Sequence, residues 1–177
     1  MAGSSICSPV PIGTCSNSAG LNGATGYIAC QLGSYSPSTG ATACTAALAG
    51  YYANSVGASL SMPCPAGTYT PVTSSSICTV SVAGSYVASS GSTTSMLCPL
   101  GSYSNFASST SCQIVPAGSY SSGSVGAVSF SSCSYYAGYY SYAGATICSP
   151  AAPGNYASSN GTLVKCPPGN VLIKNNY

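Results

Sequence analysis

Apolar residues in this chain never fall into a helical stripe. No segment repeats them at 3.6-residue spacing among good helix formers. They come in short clusters, separated by glycine, proline and runs of serine and threonine. One pattern returns throughout: a glycine, one intervening residue, then a tyrosine. These glycines are Gly33, Gly50, Gly67, Gly84, Gly101, Gly118, Gly138 and Gly154. The first five intervals (50−33, 67−50, 84−67, 101−84, 118−101) are 17 residues each, and the next two are 20 and 16. The tyrosines keep register at Tyr35, Tyr52, Tyr69, Tyr86, Tyr103, Tyr120, Tyr140 and Tyr156. Such a fixed period is the mark of a tandem array.

Each repeat reads as turn, short strand, turn, short strand. Its first glycine supplies positive φ or close approach. A second small residue follows seven positions on, at Gly40, Gly57, Ser74, Gly91, Ser108 and Gly161, where a hairpin must reverse. Proline before the first glycine (Pro65, Pro99, Pro168) removes a donor where no ladder bond is needed. The pattern predicts a small disulfide-rich all-β fold, an elongated array of hairpins with little or no helix. The in-register tyrosines are expected to form its core spine, ring on ring.

Cysteine doubles the period. Repeats with cysteine three before the glycine and eleven after it alternate with repeats lacking both. The first kind gives Cys30/Cys44, Cys64/Cys78 and Cys98/Cys112, and the second has Ala47, Ser81 and Val115 instead. The true period is therefore 34 (64−30 and 98−64). Cys133/Cys148 is a fourth pair with shifted spacing, after an insertion. This organises the chain into an atypical N-terminal part (1–29, with a half-repeat at Cys7), regular repeats (30–121), irregular repeats with a tyrosine-rich insertion (122–165), and the opening half of a further repeat (166–177).

Composition changes the picture in one respect. Among 177 residues there are two Lys or Arg, no Asp, Glu, His or Trp, eleven Cys, fifteen Tyr and two Phe. Long aliphatic side chains are too few for an ordinary core, so cross-links are expected to replace it. That implies an oxidising compartment, extracellular or on the cell surface. A charge-free surface is poorly soluble by itself, so covalent glycans or self-assembly are expected. Asn160-Gly161-Thr162 is an N-glycosylation sequon at a mid-repeat turn, and the serine and threonine clusters could carry O-glycans. No basic and apolar leader stands at Met1–Cys7, and no run of about 18 apolar residues exists.

Eleven cysteines cannot all pair within one chain. The favoured scheme joins Cys30–Cys44, Cys64–Cys78, Cys98–Cys112 and Cys133–Cys148, leaving Cys7, Cys15 and Cys166 as end or intersubunit cysteines. One account pairs Cys7 with Cys15 and leaves Cys166 free, another joins Cys166 of one subunit to Cys7 of the next, and a third takes the chain as a window of a longer array. A shifted scheme (Cys15–Cys30, Cys44–Cys64, Cys78–Cys98, Cys112–Cys133, Cys148–Cys166) stays open.

The pattern Cys-Pro-x-Gly-x-Tyr with a cysteine eleven after the glycine, as in Cys64 to Cys78 and Cys98 to Cys112, resembles cysteine-rich repeats of ephrin-receptor-like type. More distantly it resembles the first submodule of tumour-necrosis-factor-receptor cysteine-rich domains. Cys30 to Cys44 matches with Gln31 in place of proline, and Cys166 to Gly169 matches the opening only. The resemblance spans roughly residues 30 to 170. It implies disulfide-laddered rods in extracellular proteins and supports pairing within repeats. The chain departs from those families in lacking half the cysteines and almost all charge.

Function is constrained mainly by what is missing. General acid–base catalysis needs His, Asp, Glu or a tuned Lys, and only Lys165 and Lys174 are present. No enzyme activity, metal site or cofactor is expected. Calcium lacks carboxylates, and the cysteine spacings do not resemble zinc ligands. At +2 the chain lacks the charge for nucleic acid. The expected partners are other copies of the chain, or a longer array of the same repeats, in a glycosylated extracellular filament, appendage or coat. The alternative is the stalk or ligand-binding segment of a surface receptor or adhesin, with Tyr135 to Tyr142 as the binding patch. An ice-binding solenoid would need threonines in register, and Thr68 and Thr70 are not repeated.

Overall fold

A computed structural model describes residues 8–17 and 26–170. Every sheet among them is a two-stranded antiparallel hairpin, formed by strands adjacent in sequence. In chain order, β1 (Thr14–Ser16) pairs with β2 (Tyr27–Ala29), β3 (Ser34–Tyr35) with β4 (Thr45–Ala46), and β5 (Tyr51–Tyr52) with β6 (Met62–Pro63). β7 (Thr68–Tyr69) pairs with β8 (Thr79–Val80), β9 (Ser85–Tyr86) with β10 (Met96–Leu97), and β11 (Ser102–Tyr103) with β12 (Gln113–Ile114). The series ends with β13 (Ser119–Tyr120) and β14 (Ser131–Ser132), β15 (Tyr139–Tyr140) and β16 (Ser149–Pro150), then β17 (Asn155–Ala157) and β18 (Leu163–Lys165). One 3-10 turn, Cys133–Tyr135, interrupts them. The array is a small disulfide-rich all-β fold, one hairpin per repeat.

The chain forms two compact units: Met1–Val80 with Ser89–Ser95, and Ser81–Ala88 with Met96–Tyr177.

Each strand start is a tight turn. In the repeat opening at Gly67, the Thr68 backbone N–H donates to the Pro65 carbonyl at 3.0 Å, and Gly67 has φ 85°. Glycine at the third position with positive φ is what a type II turn requires. The Thr68 hydroxyl donates to the same carbonyl at 2.7 Å, as do the hydroxyls of Ser34, Ser85 and Ser102 to Gln31, Val82 and Pro99. This explains why serine or threonine so often stands between the glycine and the tyrosine. The mid-loop residue is also left-handed. Gly40, Gly57 and Gly91 have φ of 76°, 76° and 73°, and Ser74 and Ser108 hold φ of 59° and 57° in the same slot. Serine tolerates that region less readily than glycine, so the array holds it there against local preference.

Backbone hydrogen bonds tie each hairpin to the next. The Gly33 N–H donates to the Ala53 carbonyl, the Ala53 N–H to the Ser75 carbonyl, and the Gly57 N–H to the Cys30 carbonyl, at 2.8 to 2.9 Å. In the second compact unit the same relation appears as Gly84 to Ser104, Val87 to Ser109 and Ser108 to Ser81. Strands of only two residues cannot stand alone, and these bonds satisfy groups the ladders leave open.

Each compact unit has its own buried column of small residues. In the first it comprises Cys30, Ala47 and Cys64, three before a glycine, and Ser36, Ala53 and Thr70, just after a tyrosine; in the second the same positions are Ser81, Cys98 and Val115, and Val87, Ser104 and Ser121. The expected tyrosine spine is therefore corrected. Tyr35, Tyr52, Tyr69, Tyr86, Tyr103, Tyr120 and Tyr140 are half-buried, and Tyr156 is exposed. Among the described residues the ring contacts of these tyrosines are Tyr103 with Phe130 and Tyr140 with Tyr142, not tyrosine on tyrosine along the array. Hairpins linked backbone to backbone leave room between them only for small side chains, so the rings lie along the flanks.

Candidate assembly interface

The glycine that opens each hairpin does more than turn the chain. A Cβ on Gly33 would lie 1.9 Å from the backbone oxygen of Ser74. On Gly13 it would meet the Gly57 oxygen at 2.1 Å, and on Gly50 the Gly91 oxygen at 2.2 Å. In the second compact unit, Gly84, Gly101 and Gly118 meet the oxygens of Gly126, Gly144 and Asn160 at 2.0 to 2.2 Å. Real Cβ atoms do not approach backbone that closely. Each of these glycines is thus a socket, and its plug is a mid-loop carbonyl of the hairpin two further on, that of the left-handed residue in every case but Gly118, whose plug Asn160 stands just before the left-handed Gly161.

The socket skips one hairpin, which gives the 34-residue sequence period a physical meaning. Disulfide-bearing β3/β4 receives the loop of disulfide-bearing β7/β8, and β11/β12 receives that of β15/β16. Disulfide-free β1/β2 receives the loop of disulfide-free β5/β6, and β13/β14 that of β17/β18.

Three sockets differ. Gly138, Gly154 and Gly169 have φ of 82°, 85° and 84°, within a few degrees of Gly33 at 81°. Yet they are exposed, and nothing described lies within 4 Å of a Cβ placed on them. Gly13, Gly33, Gly50, Gly84, Gly101 and Gly118 are all buried. The three open sockets keep the conformation without the contact.

The disulfides are Cys30–Cys44, Cys64–Cys78, Cys98–Cys112 and Cys133–Cys148, with Cα–Cα distances of 5.6 to 5.8 Å. Each ties the buried column to the end of its own hairpin loop, and the shifted scheme is not formed. Cys15 is buried in β1 and carries no disulfide. Cys166 is half-exposed and also unpaired; its thiol lies 3.8 Å from the Asn170 carbonyl oxygen. It occupies the position three before Gly169 that Cys30, Cys64 and Cys98 hold in complete repeats. Cys7 and Lys174 lie outside the described residues.

Asn160 sits exposed in the loop between β17 and β18. Its side-chain oxygen accepts from the Thr162 hydroxyl at 2.9 Å and from the Ser158 hydroxyl, while its backbone oxygen plugs the Gly118 socket. The residue therefore turns its backbone inward and shows its side chain to solvent.

Lys165 is the one charged side chain among the described residues. Large apolar side chains stand in the open all along the array, including Leu48, Val82, Leu100, Ile114 and Ile147. The described surface thus carries almost no charge and much exposed apolar area. No described helix is long and apolar enough to cross a membrane. Sequence reasoning placed a turn or a close approach at these glycines but did not reach the partners, which lie 41 to 44 positions on (74−33, 57−13). No protein-family model matches the sequence, and no curated protein matches it.

Proposed function

We propose that this chain is a structural subunit of an extracellular, glycosylated filament, appendage or surface coat, extended end on by adding hairpins to hairpins. The open sockets carry this reading. Gly138, Gly154 and Gly169 present the backbone geometry that elsewhere receives a mid-loop carbonyl, and they present it to solvent. A second copy offers matching plugs in its own first loops, such as the one around Gly40. A contact between one end of a subunit and the opposite end of another is heterologous and propagates into a fibre. Cys166, at the opening position of a repeat, would take a closing cysteine from that copy, and Cys7 has the spacing of one, six before Gly13 as Cys44 is six before Gly50.

The uncharged surface and the four disulfides support an oxidising, assembled setting. A glycan on Asn160 would project from its loop. The chain has no enzymatic role in this reading and needs no metal or cofactor.

Electron microscopy of protein produced by secretion and kept oxidised tests the proposal. Linear polymers are expected, with non-reducing peptide mapping showing Cys166 joined to a second chain. Monodisperse monomers at high concentration, with Cys166 as a free thiol, would contradict it.

A further inference from the structure

The one place where the array breaks its own rule is the link after β14. Elsewhere the second strand of a hairpin ends four residues before the next socket glycine, as from Ala46 to Gly50 or Ile114 to Gly118. From Ser132 to Gly138 the distance is six. The two extra residues go into the 3-10 turn Cys133–Tyr135, started by Ser132, whose hydroxyl accepts from the Ser134 N–H at 3.1 Å.

The turn delivers Tyr136 beside Tyr139, with ring centroids 5.9 Å apart and planes tilted by 60°. Together with Tyr120, Ile147 and Cys148 they line a cleft of about 270 Å³, wholly within the second compact unit. The Tyr136 phenol is held above its ordinary pKa, chiefly by the side chain of Tyr120. The phenols of Tyr120, Tyr136 and Tyr139 are the polar groups in the lining of the cleft. Tyr136 is 51% exposed and Tyr139 39%, so ring surface faces solvent instead of being spent on the core. A neighbouring cleft of about 360 Å³, lined from Tyr140 to Ile147, shares Ile147 with the first. Tyr140 and Tyr142, both in its lining, meet edge to face with ring centroids 5.4 Å apart.

We propose that these adjoining clefts bind a neutral oligosaccharide, one sugar ring stacking on Tyr136 and Tyr139 and the chain running on toward Tyr142. The occupant must offer an apolar face to an aromatic ring and hydroxyls to the phenols. It must also be uncharged, because no ionised side chain lines either cleft to meet a charge. A pyranose meets all three demands. A proline-rich peptide would also suit aromatic rings, but it offers the phenols carbonyl acceptors alone, whereas a sugar's hydroxyls both donate and accept. The inference does not require filament formation, although the open socket Gly138 lies between Tyr136 and Tyr139 in the sequence, so the titration below is read on the unassembled chain.

The absence of tryptophan gives a clean readout, because tyrosine emission is the protein's own fluorescence. The oxidised, deglycosylated chain would be titrated with maltohexaose, cellohexaose and chitohexaose, with sialyllactose as the acidic control and a decaproline peptide as the competing class. Saturable binding of at least one neutral hexaose is expected, with none of the control or peptide. Tyr136→Ser with Tyr139→Ser should weaken it at least about fivefold, since two stacked rings are removed. Tyr51→Ser, in the first compact unit, should leave it unchanged. Peptide mapping of the intact Cys133–Cys148 bond would verify that the double variant is folded. Silence with all three neutral sugars, binding untouched by the double variant, or preference for decaproline would overturn the proposal.

Discussion

Gly33 and Gly154 share a backbone conformation, with φ of 81° and 85°, and differ in everything around it. Gly33 is buried, with the Ser74 carbonyl 1.9 Å from where a side chain would start, while Gly154 is exposed to solvent. The turn itself is therefore local, set by the glycine, and the socket is an added, long-range use of the same atoms. A repeat protein whose hairpins bury almost nothing individually is held together by these uses, by hydrogen bonds between hairpins and by disulfides.

The sharpest way to break the comparison is to add one methyl group at each site. Gly33→Ala should cost about 4 kcal/mol or prevent folding, because backbone meets backbone and φ is unsuitable. Gly154→Ala should cost about 1 kcal/mol, the conformational part alone. Denaturant unfolding with the disulfides intact would measure both. Equal losses would mean that the socket contact contributes nothing.

Next in size is the cross-link. Replacing Cys98 and Cys112 together by serine should cost about 3 kcal/mol, the value of closing a loop of that length. Thermal unfolding of the double variant against the parent would read it. The neighbouring hairpin β13/β14 has Val115 in the same buried position and no disulfide, so the loss should fall on the repeat that is opened, visible as lost amide protection around β11 and β12.

Two smaller tests concern residues that fit their slots imperfectly. The Ser81 hydroxyl is buried without a hydrogen-bond partner, in a position where Ala47 and Val115 serve the other repeats. Ser81→Ala should stabilise by about 1 kcal/mol, by removing an unpaired polar group. Ser74→Gly should gain about 0.5 kcal/mol, since the relief of left-handed strain exceeds the added freedom of glycine in the unfolded chain. Shifts in denaturation midpoint would settle both signs.

Much of the fold was legible because the period is short and its signals are local. A turn glycine, a strand tyrosine and a mid-loop small residue are each read within one repeat. Even Ser74 and Ser108 could be placed in the left-handed slot, because register put them where other repeats have glycine. The role of the tyrosines was not legible. Large rings recurring every 17 residues read as core, but backbone-to-backbone stacking leaves space only for Cys, Ala, Ser, Thr and Val. The sockets were hidden for a related reason: they join residues 41 to 44 positions apart, and a glycine reads the same whether its missing side chain makes room for a turn or for a neighbour. The aromatic cleft was visible as a crowding of tyrosines beside an insertion, but the 3-10 turn that aims Tyr136 was not.

The most direct test of the central claim, that open sockets are points of growth, is sedimentation velocity of the oxidised chain across a concentration series. It would be run beside Gly154→Ala, which fills a socket at small expense to the fold. The parent should shift to larger species as concentration rises, and the variant should associate more weakly at every concentration, with its stability lowered only by the conformational cost of about 1 kcal/mol. Parent and variant sedimenting alike at every concentration would contradict the account.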